Sequence, residues 1–184
     1  MIITNPFANP NKIIGICGGG QLGRMLCEAA SAWDWKTAVL DQSPDDPAAR
    51  LAHKFVQGDF TKYEDVLNFG KQVDVLTIEI EKVNLEALIE LEKMGKIVHP
   101  SPRALGIIKD KALQKQFFID QGLPTVPQEL FDTKADVLKA IESGFLQIPF
   151  VQKLRTDGYD GRGVAIIRTE EDLNLLLDGL CLVE

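Results

Sequence analysis

A chain of 184 residues with 45% hydrophobic content can bury a real core, as one domain or as two small ones. Its net charge of −7, with no basic run, argues against nucleic acid or an anionic membrane as the main partner, yet allows local positive charge around a phosphate. The three cysteines, Cys17, Cys27 and Cys181, lack metal-ligand spacing, and no apolar stretch approaches a membrane span, so reduced thiols in a soluble, cytoplasmic protein are expected.

Met1 to Lys12 has no apolar core of the signal-peptide kind and reads as a lead-in. Lys12 to Cys17 is a short apolar run of the buried-strand type, followed by Gly18-Gly-Gly-Gln-Leu-Gly23 and a helix-forming segment, Arg24 to Trp33. Strand, glycine turn and helix open a doubly wound fold, and Gly18, Gly20 and Gly23 satisfy G-x-G-x-x-G. Such a turn also serves plain strand-to-helix packing. Thr37 to Asp41 is a second strand, ending in an acid at the distance where dinucleotide enzymes hold a ribose. An NAD(P)-dependent oxidoreductase is a fair rival at this point.

The alternation continues. Pro47 to Ala52 is expected as a short helix, Lys54 to Gln57 as a strand, Tyr63 to Gly70 as a helix and Asp74 to Ile78 as a further buried strand. Open parallel sheets bind ligands beyond the carboxyl ends of their strands, so Glu79 and Glu81 can share one crevice with the glycine turn. The two acids point the same way if the chain stays extended; otherwise they solvate a strand end or cap the helix beginning near Asn84. That helix runs to Lys93, Ile97-Val98 closes the sheet, and His99-Pro-Ser-Pro102 marks the first boundary. Residues 1–99 thus form an α/β domain with a parallel sheet.

Arg103 to Gln121 reads as two helical segments carrying Lys109, Asp110, Lys111 and Lys115, where a solvated face competes with a phosphate contact. Gly122 to Pro127 is a rigid connection. Thr133 to Ser143 is a helix with Thr133 as N-cap and Asp136 as its box partner, and Thr169 to Asp172 opens another by the same pattern. Between them Ile148 to Val151 and Val164 to Ile167 flank Lys153 to Gly163 as a hairpin. Its glycines let backbone N–H groups approach an anion, and Lys153 and Arg162 add positive charge. A plain glycine-rich turn is the alternative. Leu180 to Glu184 begins a strand in which the sequence stops, where a domain is not expected to end. His53 and His99 lie far apart and read as structural.

Six stretches, in order, carry a resemblance: Gly20-Gln-Leu-Gly-Arg-Met25, Thr77-Ile-Glu-Ile-Glu81, Pro100-Ser-Pro102, Lys109-Asp-Lys-Ala-Leu-Gln-Lys115, Gly122-Leu-Pro-Thr125 and Lys153 to Gly163. Together they resemble the ATP-grasp superfamily and, within it, the 5-(carboxyamino)imidazole ribonucleotide synthases of purine biosynthesis. The formate-dependent glycinamide ribonucleotide transformylases match the glycine loop less well and typically have Glu where Gln21 stands. The resemblance implies a Rossmann-like pre-ATP-grasp domain (1–99), the helical start of an ATP-grasp region (100–127), and an incomplete α+β lid subdomain (128–184).

It also implies a carbon–nitrogen ligase that couples ATP, bicarbonate and 5-aminoimidazole ribonucleotide through carboxyphosphate, with Mg2+ as cofactor. Lys111 and Lys153 would contact ATP phosphates, with Lys111 standing where the family often has Arg. Gly158, Tyr159, Asp160, Gly161, Arg162 and Gly163 would form the phosphate lid, and Glu184 would meet the adenine or ribose. Tyr159 and Asp160, with Lys153, are the implied catalytic group. Gly20, Gln21, Leu22 and Glu81 would face the aminoimidazole ribonucleotide, with Glu79 as the alternative to Glu81. Asp157 replaces a common Gly and Val164 a common Gln. The family's Mg2+ and substrate-phosphate ligands belong to a carboxyl-terminal half, so no metal ligand is assigned here and a fragment without full activity is expected; the full-length protein is expected to be a homodimer. A non-catalytic nucleotide-binding module is the third reading.

Overall fold

The computed structural model describes residues 11–156, 158 and 163–184. The lead-in up to residue 10 and Asp157, Tyr159, Asp160, Gly161 and Arg162 therefore lie outside the described residues. The chain divides into two compact units, Met1–Leu105 and Gly106–Glu184.

The first unit is a five-stranded sheet of β1 (Ile13–Cys17), β2 (Lys36–Asp41), β3 (Lys54–Gln57), β4 (Val75–Ile78) and β5 (Ile97–His99), in the order β3-β2-β1-β4-β5. Every pairing is parallel. Residues Thr37 to Leu40 of β2 are all buried, as expected of a strand covered on both faces. Alternate side chains separate two cores. Cys17, Ala38 and Leu40 point to the side packed by α2 (Tyr63–Lys71) and α3 (Leu85–Lys93), through Val66, Phe69, Leu88 and Leu91. Ile16 and Val39 point to the opposite side, where Cys27 of α1 (Gln21–Ala32) and Ala48 complete a smaller core. Burial, reinforced by the nearby Asp41 carboxylate, pushes the Cys17 thiol up to about 12, so it packs as an inert apolar group. Asn84 caps α3 by accepting the Ala87 N–H at 2.9 Å.

The expected helix from Pro47 to Ala52 is instead a series of turns. Six residues cannot offset the cost of helix nucleation. The Ala48 N–H donates to Gly19 O at 2.9 Å, which ties the segment to the glycine turn.

The second unit is an antiparallel sheet in the order β6-β9-β7-β8, from β6 (Glu129–Phe131), β7 (Phe150–Leu154), β8 (Val164–Ile167) and β9 (Cys181–Val183). The hairpin read from the sequence is β7–β8, with Lys153 opposite Val164. One face packs Phe150, Ala165, Ile167, Cys181 and Val183 against Val137 of α6 (Lys134–Glu142). Thr133 caps α6, donating to the Asp136 carboxylate at 2.6 Å and accepting the Asp136 N–H at 3.2 Å. Gln152 is fully buried on this face, and its carboxamide exchanges two 2.8 Å bonds with the backbone of Leu177. The segment after Thr169 has the expected capping box with Asp172, but closes as a six-residue 3-10 helix because Leu176 turns extended. β6 has no counterpart among the sequence expectations. The helices α4 (Pro102–Lys109) and α5 (Lys111–Asp120) match the two expected segments, and α4 crosses the limit between the units.

Candidate functional site

In the first unit the strand order reverses between β1 and β4, where doubly wound sheets open a crevice at their carboxyl ends. The glycine turn leaves β1 there, and the Glu79 N–H donates to Cys17 O at 2.8 Å. The strand ends at Ile78, so the chain is not extended through Glu81 and the two acids do not share a face. Glu81 is exposed, whereas the Glu79 carboxylate lies on the turn. A Cβ at Gly18 would sit 2.5 Å from its Oε2, and one at Gly20 would sit 2.7 Å from Oε1. The N–H groups of Leu22 and Gly23, in the first turn of α1, help to favour the ionised form of Glu79, and the N-cap of that helix, Gly20, has no side chain of its own. The Glu79 charge lies at the favourable end of the helix dipole.

Asp41 takes the turn's other donor. Its Oδ2 accepts the Gly19 N–H at 2.5 Å and its Oδ1 the Gln42 N–H at 2.6 Å. The carboxylate that a dinucleotide enzyme would offer a ribose is held by backbone here, which argues against the oxidoreductase rival. With Asp41 and Glu79 on its donors, the turn offers hydrogen-bond acceptors to a ligand, rather than a phosphate cradle. Gln21 and Leu22 are exposed at the start of α1. An apolar groove of about 250 Å³ between α1 and the sheet, lined by Leu26, Trp33 and Trp35 among others, lies toward the far end of the helix.

Burial, then the charges of Asp41 and Glu81, push the Glu79 carboxyl above its ordinary 4.5 despite the two N–H bonds that favour its ionised form. Burial and Asp41 push Asp46 up in the same way. A carboxyl raised on folding contributes stability that is complete below its unfolded pKa and is lost as pH rises through its folded one. Glu79→Gln keeps an acceptor for α1 and removes the charge. Thermal melts of parent and variant are expected to diverge, in favour of the variant, as pH rises from about 4.5 toward neutrality. Parallel curves across that window would mean that Glu79 is not buried against the turn.

In the second unit, two lysines grip one carboxylate and a third lies near enough to repel one of them. Lys111 is the first residue of α5 and Lys115 lies one turn along the same face. Lys153 comes from β7, and Glu184 follows β9, exchanging backbone bonds with Val151 at 2.7 and 3.0 Å. Lys115 and Lys153 each pair with one oxygen of Glu184. The Lys111 Nζ donates to Gly158 O at 3.4 Å. Burial, then the ammonium groups of Lys115 and Lys111, pull Lys153 below the ordinary lysine range. Two ammonium groups on one carboxylate, with the Lys111 charge nearby, leave surplus positive charge, the character expected of a polyphosphate site. Gly163, at φ 75°, fills a position where a Cβ would stand 3.0 Å from the Gly158 Cα. Lys115 was visible in the sequence only as one of several charges. Its four-residue spacing from Lys111 was the usable signal.

Among the described residues, no group of three or more His, Cys, Asp or Glu is placed to hold a metal ion, and no helix is long and apolar enough to cross a membrane. The family model for the ribonucleotide synthetase preATP-grasp domain matches residues 11–109. A phosphoribosylaminoimidazole carboxylase of Candida glabrata is 40% identical over 175 residues, covering 92% of this chain and 30% of its own length. The N5-carboxyaminoimidazole ribonucleotide synthetase structure from Thermotoga maritima aligns with a TM-score of 0.82 at 34% identity, over 94% of this chain and 45% of that one. An Aspergillus clavatus N5-carboxyaminoimidazole synthase in complex with ADP and 5-aminoimidazole ribonucleotide aligns with a TM-score of 0.80 at 30% identity, over 95% and 47%. The chain thus spans less than half the length of each of these relatives.

Proposed function

Because the chain belongs to the ribonucleotide synthetase preATP-grasp family, we propose that it works in the ATP-dependent carboxylation of 5-aminoimidazole ribonucleotide by bicarbonate, giving the N5-carboxyamino product, ADP and phosphate. The observation that carries this reading is the pairing of Lys115 and Lys153 with Glu184, with the Lys111 ammonium close to Lys153 and bonded to Gly158 O. The complex of one solved relative with ADP and 5-aminoimidazole ribonucleotide supports both ligands.

Bicarbonate is a poor electrophile, and transfer of the terminal phosphoryl group gives it a leaving group as carboxyphosphate. Lys153 and Lys111 bind the phosphates and offset charge on the transferring group. Glu184 receives the adenine or ribose side of the nucleotide. Gly158 and Gly163 are the ends of the proposed phosphate loop, with Tyr159, Asp160, Gly161 and Arg162 between them, and Tyr159 and Asp160 hold bicarbonate or the reacting intermediate. Shielding that intermediate from water is the purpose of such a loop. Gly20, Gln21, Leu22 and Glu81 face the aminoimidazole ribonucleotide. Glu81 is preferred to Glu79 because it is exposed, while Glu79 is engaged by α1. Mg2+, when bound, would offset negative charge on the phosphates, and no residue of this chain is assigned to it. A cytoplasmic homodimer is the proposed working form.

Phosphate release from ATP tests the reading, using the full-length natural polypeptide in bicarbonate with 5-aminoimidazole ribonucleotide added or withheld. Strong stimulation by the ribonucleotide is expected. Release indifferent to it would remove the substrate assignment and leave a generic ATP-grasp ligase acting on another amine.

A further inference from the structure

Arg155 follows β7 directly, two residues after Lys153, and Asp110 immediately precedes Lys111. Their side chains meet in a two-point grip. The Arg155 Nε donates to Asp110 Oδ1 at 3.1 Å and its Nη2 to Oδ2 at 2.6 Å. The backbone adds a third tie, from the Lys111 N–H to Arg155 O at 2.9 Å. Asp110 is also the N-cap of α5, accepting the Ala112 and Leu113 N–H groups at 2.8 and 3.3 Å. Burial alone would raise its carboxyl, but the guanidinium and these two N–H groups outweigh burial and hold it below the usual carboxylate range.

Apolar packing gives α5 little purchase. Only Ala112 of the helix is buried, while Leu113, Phe117 and Ile119 stand exposed. The register of α5 against β7, and with it the place of Lys111 relative to Lys153, therefore depends on polar ties. Resting on the nucleotide-binding role proposed above, we infer that the Asp110–Arg155 pair is a positioning clasp that fixes the separation of Lys111 and Lys153 for a polyphosphate ligand. The pair touches no phosphate itself. It holds the two elements from which the phosphate-binding ammonium groups project. A planar guanidinium suits this because it grips a carboxylate at two points, whereas an ammonium makes a point contact.

Two variants disturb the clasp while sparing the fold. Arg155→Lys keeps the charge and loses the fork; Asp110→Asn keeps an N-cap for α5 and loses the ionic grip. Affinities for ATP and for AMP are measured by competition in the full-length natural polypeptide, alongside thermal melts. In both variants ATP affinity is expected to fall about tenfold, roughly 1.4 kcal/mol, while AMP affinity stays within about twofold. Equal losses for ATP and AMP, or unchanged affinity for both, would overturn the clasp and leave a structural ion pair. A parent polypeptide that does not prefer ATP to AMP would instead remove the nucleotide-binding reading beneath it, so the two failures are told apart by the parent alone.

Discussion

Lys153→Met is expected to lower phosphate release from ATP by about 10²-fold or more in the full-length natural polypeptide, since one preorganised charge at a developing anion is commonly worth that much. Lys153 lies on the face of β7 opposite the Phe150 and Gln152 core, next to Glu184 and half-withdrawn from water. Its ammonium shares the single Glu184 carboxylate with Lys115 and is also repelled by Lys111, so one negative charge only partly offsets the cluster. A polyphosphate relieves that crowding, and relief is greatest where negative charge is most concentrated. Methionine preserves the length and apolar stem of the side chain, so the melting profile of the second unit should change little. Lys115→Met separates the functions further. It frees one oxygen of Glu184 without removing the lysine assigned to phosphate, and a much smaller loss is expected. Comparable activity in parent and Lys153→Met would remove this lysine from the chemistry. A collapsed fold in the variant would show as a shifted melt.

The reading from sequence succeeded where a local pattern had a single physical solution. Thr133 and Asp136, three residues apart before an apolar run, cap α6 as expected, and the runs flanking Lys153 to Gly163 pair as β7 and β8. β6 escaped notice because three residues cannot display a period of two, and it exists through pairing with β9, some fifty residues away. Pro47 to Ala52 failed in the opposite sense, since its composition suits a helix while so short a run closes only turns. The charged cluster was legible only in part. Lys153 and Lys111 were singled out through family resemblance, but the pairing of Lys115 with Glu184 joins residues far apart in the chain. No spacing rule reveals such a contact before the sheet is built. The same holds for Glu79, whose place over the glycine turn requires that β4 lie beside β1.

That placement leads to a second large effect, in which two glycines of one turn should respond differently. Gly18 has φ 107°, so Gly18→Ala is strained whatever surrounds it, by about 1–3 kcal/mol. Gly20 has φ −68°, which alanine adopts freely, so its cost arises from the approach of its Cβ to Glu79 Oε1. Gly20→Ala is therefore expected to destabilise the first unit by roughly 1–3 kcal/mol through overpacking and displacement of the carboxylate. Removing the obstacle should undo the overpacking. In a Glu79→Ala background, Gly20→Ala should cost far less, giving a coupling of about 1–2 kcal/mol in a double-mutant cycle, whereas Gly18→Ala, relieved of its 2.5 Å approach to Oε2 but not of its positive φ, should keep part of its cost. Denaturant unfolding of all six chains measures both cycles. Additive costs at Gly20 would mean that the carboxylate does not lie over the turn, and would remove the reason for preferring Glu81 as the substrate-facing acid. With coupling established, Glu81→Ala should raise the KM for 5-aminoimidazole ribonucleotide and leave the unfolding midpoint and the KM for ATP near the parent values. An exposed acid at the crevice can meet a ligand without holding the fold, whereas the Glu79 carboxylate is packed against Gly18 and Gly20 of the turn.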